Sequence, residues 1–454
     1  MVASGLRAAG GTSRADLAET RVAFLVPPSF AHVVISRGIW LAGGIAVPLA
    51  VSHPPAELEY VIRDSQAAIV IGSGRQAGAL ESIAASTGAL FLRTPDFIAE
   101  DASPLPPVTL SPDRRALIIY TSGTTGKPKG VVTTHGNVAA QISSLLEAWE
   151  WTSDDRALLV LPLHHVHGII NVLGCAIAAG AACEVLPQFD TEAAWERLAS
   201  GEITIFSAVP TIYRRLIDSW EAAPARVRQA RSAGAQRARL MMSGSSALPD
   251  GTLERWRKIT GHTLLERYGM TEIGMALANP LHGERRPGFV GAPLPGVNVR
   301  IVDGELEVRG PGVFREYWRR PDDTAAAFHD DWFRTGDTAE LEDGAYRLLG
   351  RSSTDIIKTG GFKVSALEIE SALREHPAVR DCAVVGVPDE EWGERVCAAV
   401  ELIENTTVSP AALQEWLKAR LAPYKVPKSV IALLSLPRNA MSKVVKPDVA
   451  RLFT

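Results

Sequence analysis

The sequence predicts an α/β protein of two domains, a large N-terminal one of sheets layered with helices and a small C-terminal one of the same class. Three observations lead there. At 454 residues the chain is longer than one ordinary hydrophobic core organises. From Arg21 onward, short β-branched runs alternate with helix-length amphipathic segments, the signature of buried sheets between helices. Near Gly350-Arg351-Ser352-Ser353-Thr354-Asp355 the composition turns to a small polar connector, which divides the chain into residues 1–351 and 352–454.

The elements follow in order. Residues 22–26 read as a strand, residues 31–40 as a helix, and residues 45–49 and 68–71 as two further strands. Strand-like runs recur at 116–120, 157–161, 203–206 and 240–242, each running into a polar or glycine-bearing loop, where α/β proteins hold ligands. Beyond the connector, residues 382–387 and 398–402 are strands of a separate alternation. No repeat of solenoid period is visible.

The bulk numbers exclude several classes. A net charge of -4 argues against a nucleic-acid surface. The basic run Arg226, Arg228, Arg231, Arg237 and Arg239 lacks interleaved aromatics and reads as a solvated helix face. Cysteines 175, 183, 382 and 397 have no metal spacing and read as buried thiols in a reducing compartment. Residues 1–17 contain no apolar signal core, and the longest apolar stretch, 172–183, is shorter than the roughly 20 residues that cross a bilayer. These features lead to the expectation of a cytoplasmic protein without a membrane partner.

The most informative segment is Tyr120-Thr121-Ser122-Gly123-Thr124-Thr125-Gly126-Lys127-Pro128-Lys129-Gly130. Its glycines free backbone N–H groups to face an anion, its hydroxyls add donors, and its ammonium groups offset phosphate charge. It is not a Walker loop, because Pro128 follows Lys127 and the next residues, 131–134, are β-branched. The loop therefore joins two strands. Two weaker constellations follow: Glu266-Arg267-Tyr268-Gly269-Met270-Thr271-Glu272, with a ring, a glycine, a hydroxyl and a carboxylate, and Arg334-Thr335-Gly336-Asp337, whose acid suits a ribose.

In this order and spacing, together with Gly350-Arg351 and a late lysine, these motifs resemble the adenylate-forming superfamily of acyl-CoA synthetases, luciferase and peptide-synthetase adenylation domains. The resemblance covers nearly the whole chain. It implies a mobile C-terminal domain hinged near residues 353–355 and two half-reactions, formation of an acyl-adenylate from ATP and its capture by a thiol, with ATP, Mg²⁺ and coenzyme A as the expected cofactors and co-substrates. Carried over by position, Thr121, Ser122, Gly123, Thr124, Thr125 and Lys129 hold phosphates, and Glu272 binds Mg²⁺. Tyr268, Gly269 and Met270 flank the adenine, Thr271 meets the α-phosphate, and Asp337 with Arg351 holds the ribose. Ser243, Gly244 and Ser245 lie between adenine and acyl pocket. The catalytic lysine is Lys443, with Lys446 the weaker alternative; Ser442 stands where the superfamily has glycine. The segment around Trp392 and the pair Gly360-Gly361 resemble parts of a thiol tunnel. Whether the thiol is coenzyme A or a carrier-protein pantetheine stays open.

The acid expected is a short dicarboxylate. Residues 161–168 lack the aspartate that holds a substrate amine in amino-acid-activating relatives. Arg267 stands where many fatty-acyl relatives have glycine, and a guanidinium out of water calls for an anion with a matching fork. His165 and Ser243 would add donors, and Glu266 is the alternative partner of Arg267. Residues 264–275 resemble malonyl-CoA synthetases, which points to malonate, with or without a methyl branch. The readings set against this one are a synthetase for another short or aromatic monocarboxylate, a non-catalytic nucleotide-binding protein, and an enzyme that stops at the adenylate.

Overall fold

A computed structural model of the chain describes residues 2–9, 16–94, 108–121, 127–352, 354–360, 362–439 and 443–453. Ser122, Gly123, Thr124 and Thr125, the core of the expected phosphate loop, lie outside these residues, as do Ser353, Gly361 and Ser442.

The first sheet forms because the strands Arg21–Leu25, Ile45–Pro48 and Ile69–Gly72 are apolar on both faces and can be satisfied only between layers. They pair in parallel, with Leu90–Arg93 beyond them. On the other side Arg115–Thr121 and Lys129–Thr134 pair antiparallel, in a register that sets Thr121 opposite Lys129. The expected two-strand setting of the phosphate loop is therefore present. The short strand Glu316–Tyr317 closes that edge against Val131 and Val132.

The second sheet orders Ala182–Val185, Arg156–Leu159, Ile205–Ala208, Leu240–Ser243 and Leu265–Met270 in parallel, then adds Gly274–Ala278 antiparallel. The strand expected at 203–206 begins two residues later. At Thr204, just before the strand, the hydroxyl donates to Asp155 at 2.7 Å and accepts the Arg156 N–H at 2.9 Å, while its backbone N–H donates to Arg156 O at 2.9 Å. The apolar stretch enters a buried π-helical segment, His167–Gly174, that runs into the helix Cys175–Ala179. No helix among the described residues is long and apolar enough to cross a membrane.

A third, antiparallel sheet contains Asn298–Val302, Glu305–Arg309, Trp332–Glu342 and Ala345–Arg351. The C-terminal lobe has its own sheet, with Ile356–Thr359, Phe362–Ser365, Val379–Asp389, Gly393–Leu402 and Ser429–Leu433, packed against the helices Ala366–Arg374 and Pro410–Lys418. Each hydrophobic cluster lies wholly before residue 349 or wholly after residue 356.

The basic run needs correction. Arg226 is exposed as expected, but Arg231 is buried, paired with Glu192 and donating to Ser219 Oγ at 2.9 Å. Arg239 grips Asp155 through two bonds of 2.7 Å. The helix Ala225–Ala235 turns part of its basic face toward a neighbouring helix that supplies an acid, which charge pattern alone does not reveal. Cys175, Cys382 and Cys397 are buried and Cys183 is half-buried, all as free thiols.

Candidate active site

The expected acyl end of the site is built where the strand Leu240–Ser243 finishes beside the start of its parallel neighbour Leu265–Met270. Pairing places Ser243 next to Glu266, so Gly244 and Ser245 leave one strand beside Arg267 on the other. Alternation sends the neighbours Glu266 and Arg267 to opposite faces. Glu266 accepts the Gly288 N–H at 3.1 Å, and burial raises its carboxyl to about 8. Arg267 is only 3% exposed, and its Nε and Nη2 have no hydrogen-bond partner among the described residues. The expected alternative, an Arg267–Glu266 pair, is absent among the described residues. Burial lowers the guanidinium to about 9, which leaves it charged at neutral pH.

Gly244 makes room for that cation: a Cβ there would sit 2.4 Å from Arg267 Nη1. Ser243 Oγ is buried and also without a partner among the described residues. His167 spans the same region, with Nδ1 3.1 Å from Ser245 Oγ and Nε2 2.8 Å from Ser207 Oγ. Ser245 adopts φ +69, an uncommon conformation for a residue with a Cβ, while its hydroxyl makes that contact. Burial and then the Arg267 charge hold His167 well below the usual imidazole range, so the ring is neutral.

At the expected nucleotide end, Tyr268 donates its hydroxyl to Asp337 Oδ2 at 2.6 Å, and Arg351 Nε lies 3.2 Å from Asp337 Oδ1. Asp337 and Arg351 are direct partners across the third sheet, so two residues of separate motifs are fixed by one ladder. Glu272 is buried, accepts from the Tyr317 hydroxyl at 3.0 Å, and has its carboxyl raised by burial. Among the described residues no ion pair reaches it. Lys129 is 3.1 Å from Asp323 and 5.2 Å above the Tyr317 ring. Thr271 and Met270 are half-buried beside this group.

Lys443 enters from the C-terminal lobe on a turn closed by the Arg438–Val444 bridge and by Asn439 N–H to Lys443 O at 2.9 Å. Its side chain opens to solvent, yet surrounding protein and then the Arg351 charge lower its ammonium pKa. Burial, followed by Lys443, lowers His165 to about 4, and the His164 ring lies 4.3 Å away at a tilt of 49°. Lys446, the alternative lysine, is already held by Asp355 at 2.5 Å and Glu370 at 2.8 Å. Trp392 is half-buried in the same lobe, accepting the Gly360 N–H at 2.9 Å with Lys428 4.3 Å above its ring.

The profile of AMP-binding enzymes matches residues 1–318, and that of their C-terminal domain matches residues 368–443. The chain belongs to the AMP-binding enzyme family. It is 46% identical to the mitochondrial malonate–CoA ligase of Bos taurus over 96% of this chain and 82% of that one. Identity to the malonate–CoA ligase of Arabidopsis thaliana is 42%, over 96% and 78%. Among solved structures, ATP-bound MatB from Rhodopseudomonas palustris superposes with a TM-score of 0.90 at 34% identity, covering 100% of this chain and 91% of that one. A malonyl-CoA ligase product complex with methylmalonyl-CoA and AMP superposes with a TM-score of 0.68 at 38% identity, covering 96% and 93%.

For a member of this family, three residues of the site carried no role in the sequence reading. His167 was visible only as one histidine in a polar loop. Ser207 is the penultimate residue of the strand Ile205–Ala208, and its position near a strand's C-terminal end was the one available signal. Tyr317 reaches Glu272 only through the sheet edge at Glu316–Tyr317, which no local pattern announces.

Proposed function

We propose that this protein ligates malonate to coenzyme A through a malonyl-adenylate, with the domain boundary at 351/352 separating the nucleotide-holding part from the lobe that carries Lys443. A carboxylate oxygen of malonate attacks the α-phosphorus of ATP and pyrophosphate leaves. The coenzyme A thiolate then attacks the acyl carbon, and AMP leaves with the bonding pair. The first step brings two anions together, so neutralising charge and in-line orientation are the main demands on the protein.

Arg267 carries the substrate assignment. A buried guanidinium with two unpartnered donors is costly unless an anion completes it. The second carboxylate of malonate is such an anion, and a monocarboxylate lacks it. Neutral His167, held by Ser207 and Ser245, does not add a competing charge.

At the other end, Asp337 and Arg351 hold the ribose, Tyr268 lies along the adenine, and Thr121, Thr271 and Lys129 face the phosphates. Lys443 bridges the attacking carboxylate and the α-phosphate. Glu272 suits Mg²⁺ because it is a buried carboxylate with no ion-pair partner among the described residues. With no group of three or more metal-ligating side chains converging among the described residues, phosphate and water would supply the remaining ligands. Bound there, Mg²⁺ would offset phosphate charge.

The deciding experiment measures AMP release with malonate, methylmalonate, succinate, acetate and benzoate, each with and without coenzyme A. Malonate should give the highest kcat/KM, and release should depend on the thiol. Acetate or benzoate outperforming malonate would refute the assignment, and ATP binding without any acid-dependent pyrophosphate exchange would favour a non-catalytic nucleotide-binding protein.

A further inference from the structure

The connector between the lobes holds a buried clasp. Asp355 faces two ways: Oδ2 accepts the backbone N–H of Arg351 at 2.9 Å, and Oδ1 lies 2.5 Å from Lys446 Nζ. The same ammonium is 2.8 Å from Glu370 Oε1. Glu370 is itself fixed, accepting the Val384 N–H at 2.9 Å and lying 3.3 Å from Arg374. Side-chain exposures of 16% for Lys446, 13% for Asp355 and 4% for Glu370 distinguish this triplet from a solvated surface pair.

The chain of charges continues beyond the triplet. Arg374 meets Asp381 at 3.1 Å, Asp381 meets Arg438 at 2.6 Å, and Arg438 bridges to Val444 at the base of the Lys443 turn. The turn is thus gripped on both sides, by Arg438 before it and Lys446 after it. The far end of the relay is the backbone of Arg351, whose side chain contacts Asp337.

We propose that Lys446 is a positioning residue: seated between Asp355 and Glu370, it fixes the Lys443 turn and the Arg351–Asp337 pair in a single geometry used for adenylate formation. The inference rests on the roles given above to Lys443 and Arg351. Without the ammonium, two carboxylates face each other out of water, and the connector relaxes away from that geometry. An arginine keeps the cation, so it restores the clasp. Because Lys446 does not touch the reacting atoms, its loss should slow the step that needs Lys443 and spare the one that does not.

The test compares Lys446→Met, Lys446→Arg and Asp355→Asn with the parent, and uses Lys443→Ala as the reference. Two rates are read, malonate-dependent pyrophosphate exchange and thioester formation from preformed malonyl-adenylate and coenzyme A, alongside the thermal midpoint. Lys446→Met should lower exchange by about tenfold or more and leave the thioester step within about threefold. Lys446→Arg should return exchange to within about threefold of the parent. Equal losses in both steps, or exchange within about twofold of the parent in Lys446→Met, would overturn the inference. If Lys446→Met does not fold, the near-isosteric Asp355→Asn decides by the same split. Lost exchange in Lys443→Ala with full exchange in Lys446→Met removes the positioning role alone. Full exchange in Lys443→Ala removes the reading of Lys443, and the inference with it.

Discussion

Replacing Arg267 with methionine should damage activity while making the free protein more stable. Methionine is close to arginine in volume, though shorter, and has no charge, so the cavity it leaves is small. The fall of the guanidinium from 12.5 to about 9 on burial corresponds to an upper bound of about 5 kcal/mol, at about 1.4 kcal/mol for each factor of ten. Relaxation reduces the realised gain, and apolar replacement of buried ionic groups in general stabilises by about 1–4 kcal/mol. Removing one partner of a buried charge pair costs a complex about 2–5 kcal/mol, so kcat/KM for malonate should fall by about 30-fold to about 5,000-fold. Propionate, which has no second carboxylate, should stay within about threefold. Pyrophosphate exchange with each acid and thermal unfolding of the apo protein measure both halves. A fall in malonate activation of less than about threefold, about 0.7 kcal/mol, would refute the dicarboxylate reasoning. A drop in melting temperature would show that Arg267 is satisfied in the free protein.

Three further outcomes follow from the same geometry. Gly244→Ala puts a methyl 2.4 Å from Arg267 Nη1, so it should raise KM for malonate at least about tenfold with KM for ATP unchanged; parallel increases in both would contradict the placement. Tyr268→Phe removes a hydroxyl that donates at 2.6 Å to Asp337, a charge-assisted bond of about 1.5–3 kcal/mol, and should raise KM for ATP about tenfold or more; a value within about twofold of the parent counts against the ribose assignment. Glu266 has its carboxyl raised to about 8, so the folded protein holds a proton that the unfolded chain releases near its ordinary value, and stability falls as pH rises from about 5 to about 8. Glu266→Gln should therefore gain on the parent by up to about 4 kcal/mol across that window in urea unfolding; a pH-independent difference would show that Glu266 is ionised in the native state.

The parallel strands were legible because burial on both faces writes them as unbroken apolar runs, as at Ile45–Pro48 and Ile69–Gly72. Boundaries slipped by a residue or two, as at the strand expected from 203 that begins at Ile205. Arg267 was legible through the family resemblance, as a guanidinium where many fatty-acyl relatives have glycine. What could not be read were partnerships made by sheet order and helix packing. Tyr317 meets Glu272 across an edge strand, Ser207 meets His167 from a neighbouring strand, and Arg231 finds Glu192 on another helix. Local patterning specifies which residues face inward, whereas the identity of the partner is set by topology.

The division of the hydrophobic clusters at residues 349–356 has a thermodynamic consequence for any swing of the C-terminal lobe. Such a swing opens no core. It exchanges polar links at the joint, such as Ser352 N–H to Gly336 O and Arg214 to the Arg380 carbonyl, for contacts with water. Little apolar area is hydrated, so the transition should have a small heat-capacity change and weak temperature curvature. Dissolved electrolyte, which screens ionic links and leaves nonpolar packing largely untouched, would then be a stronger control on turnover than warming.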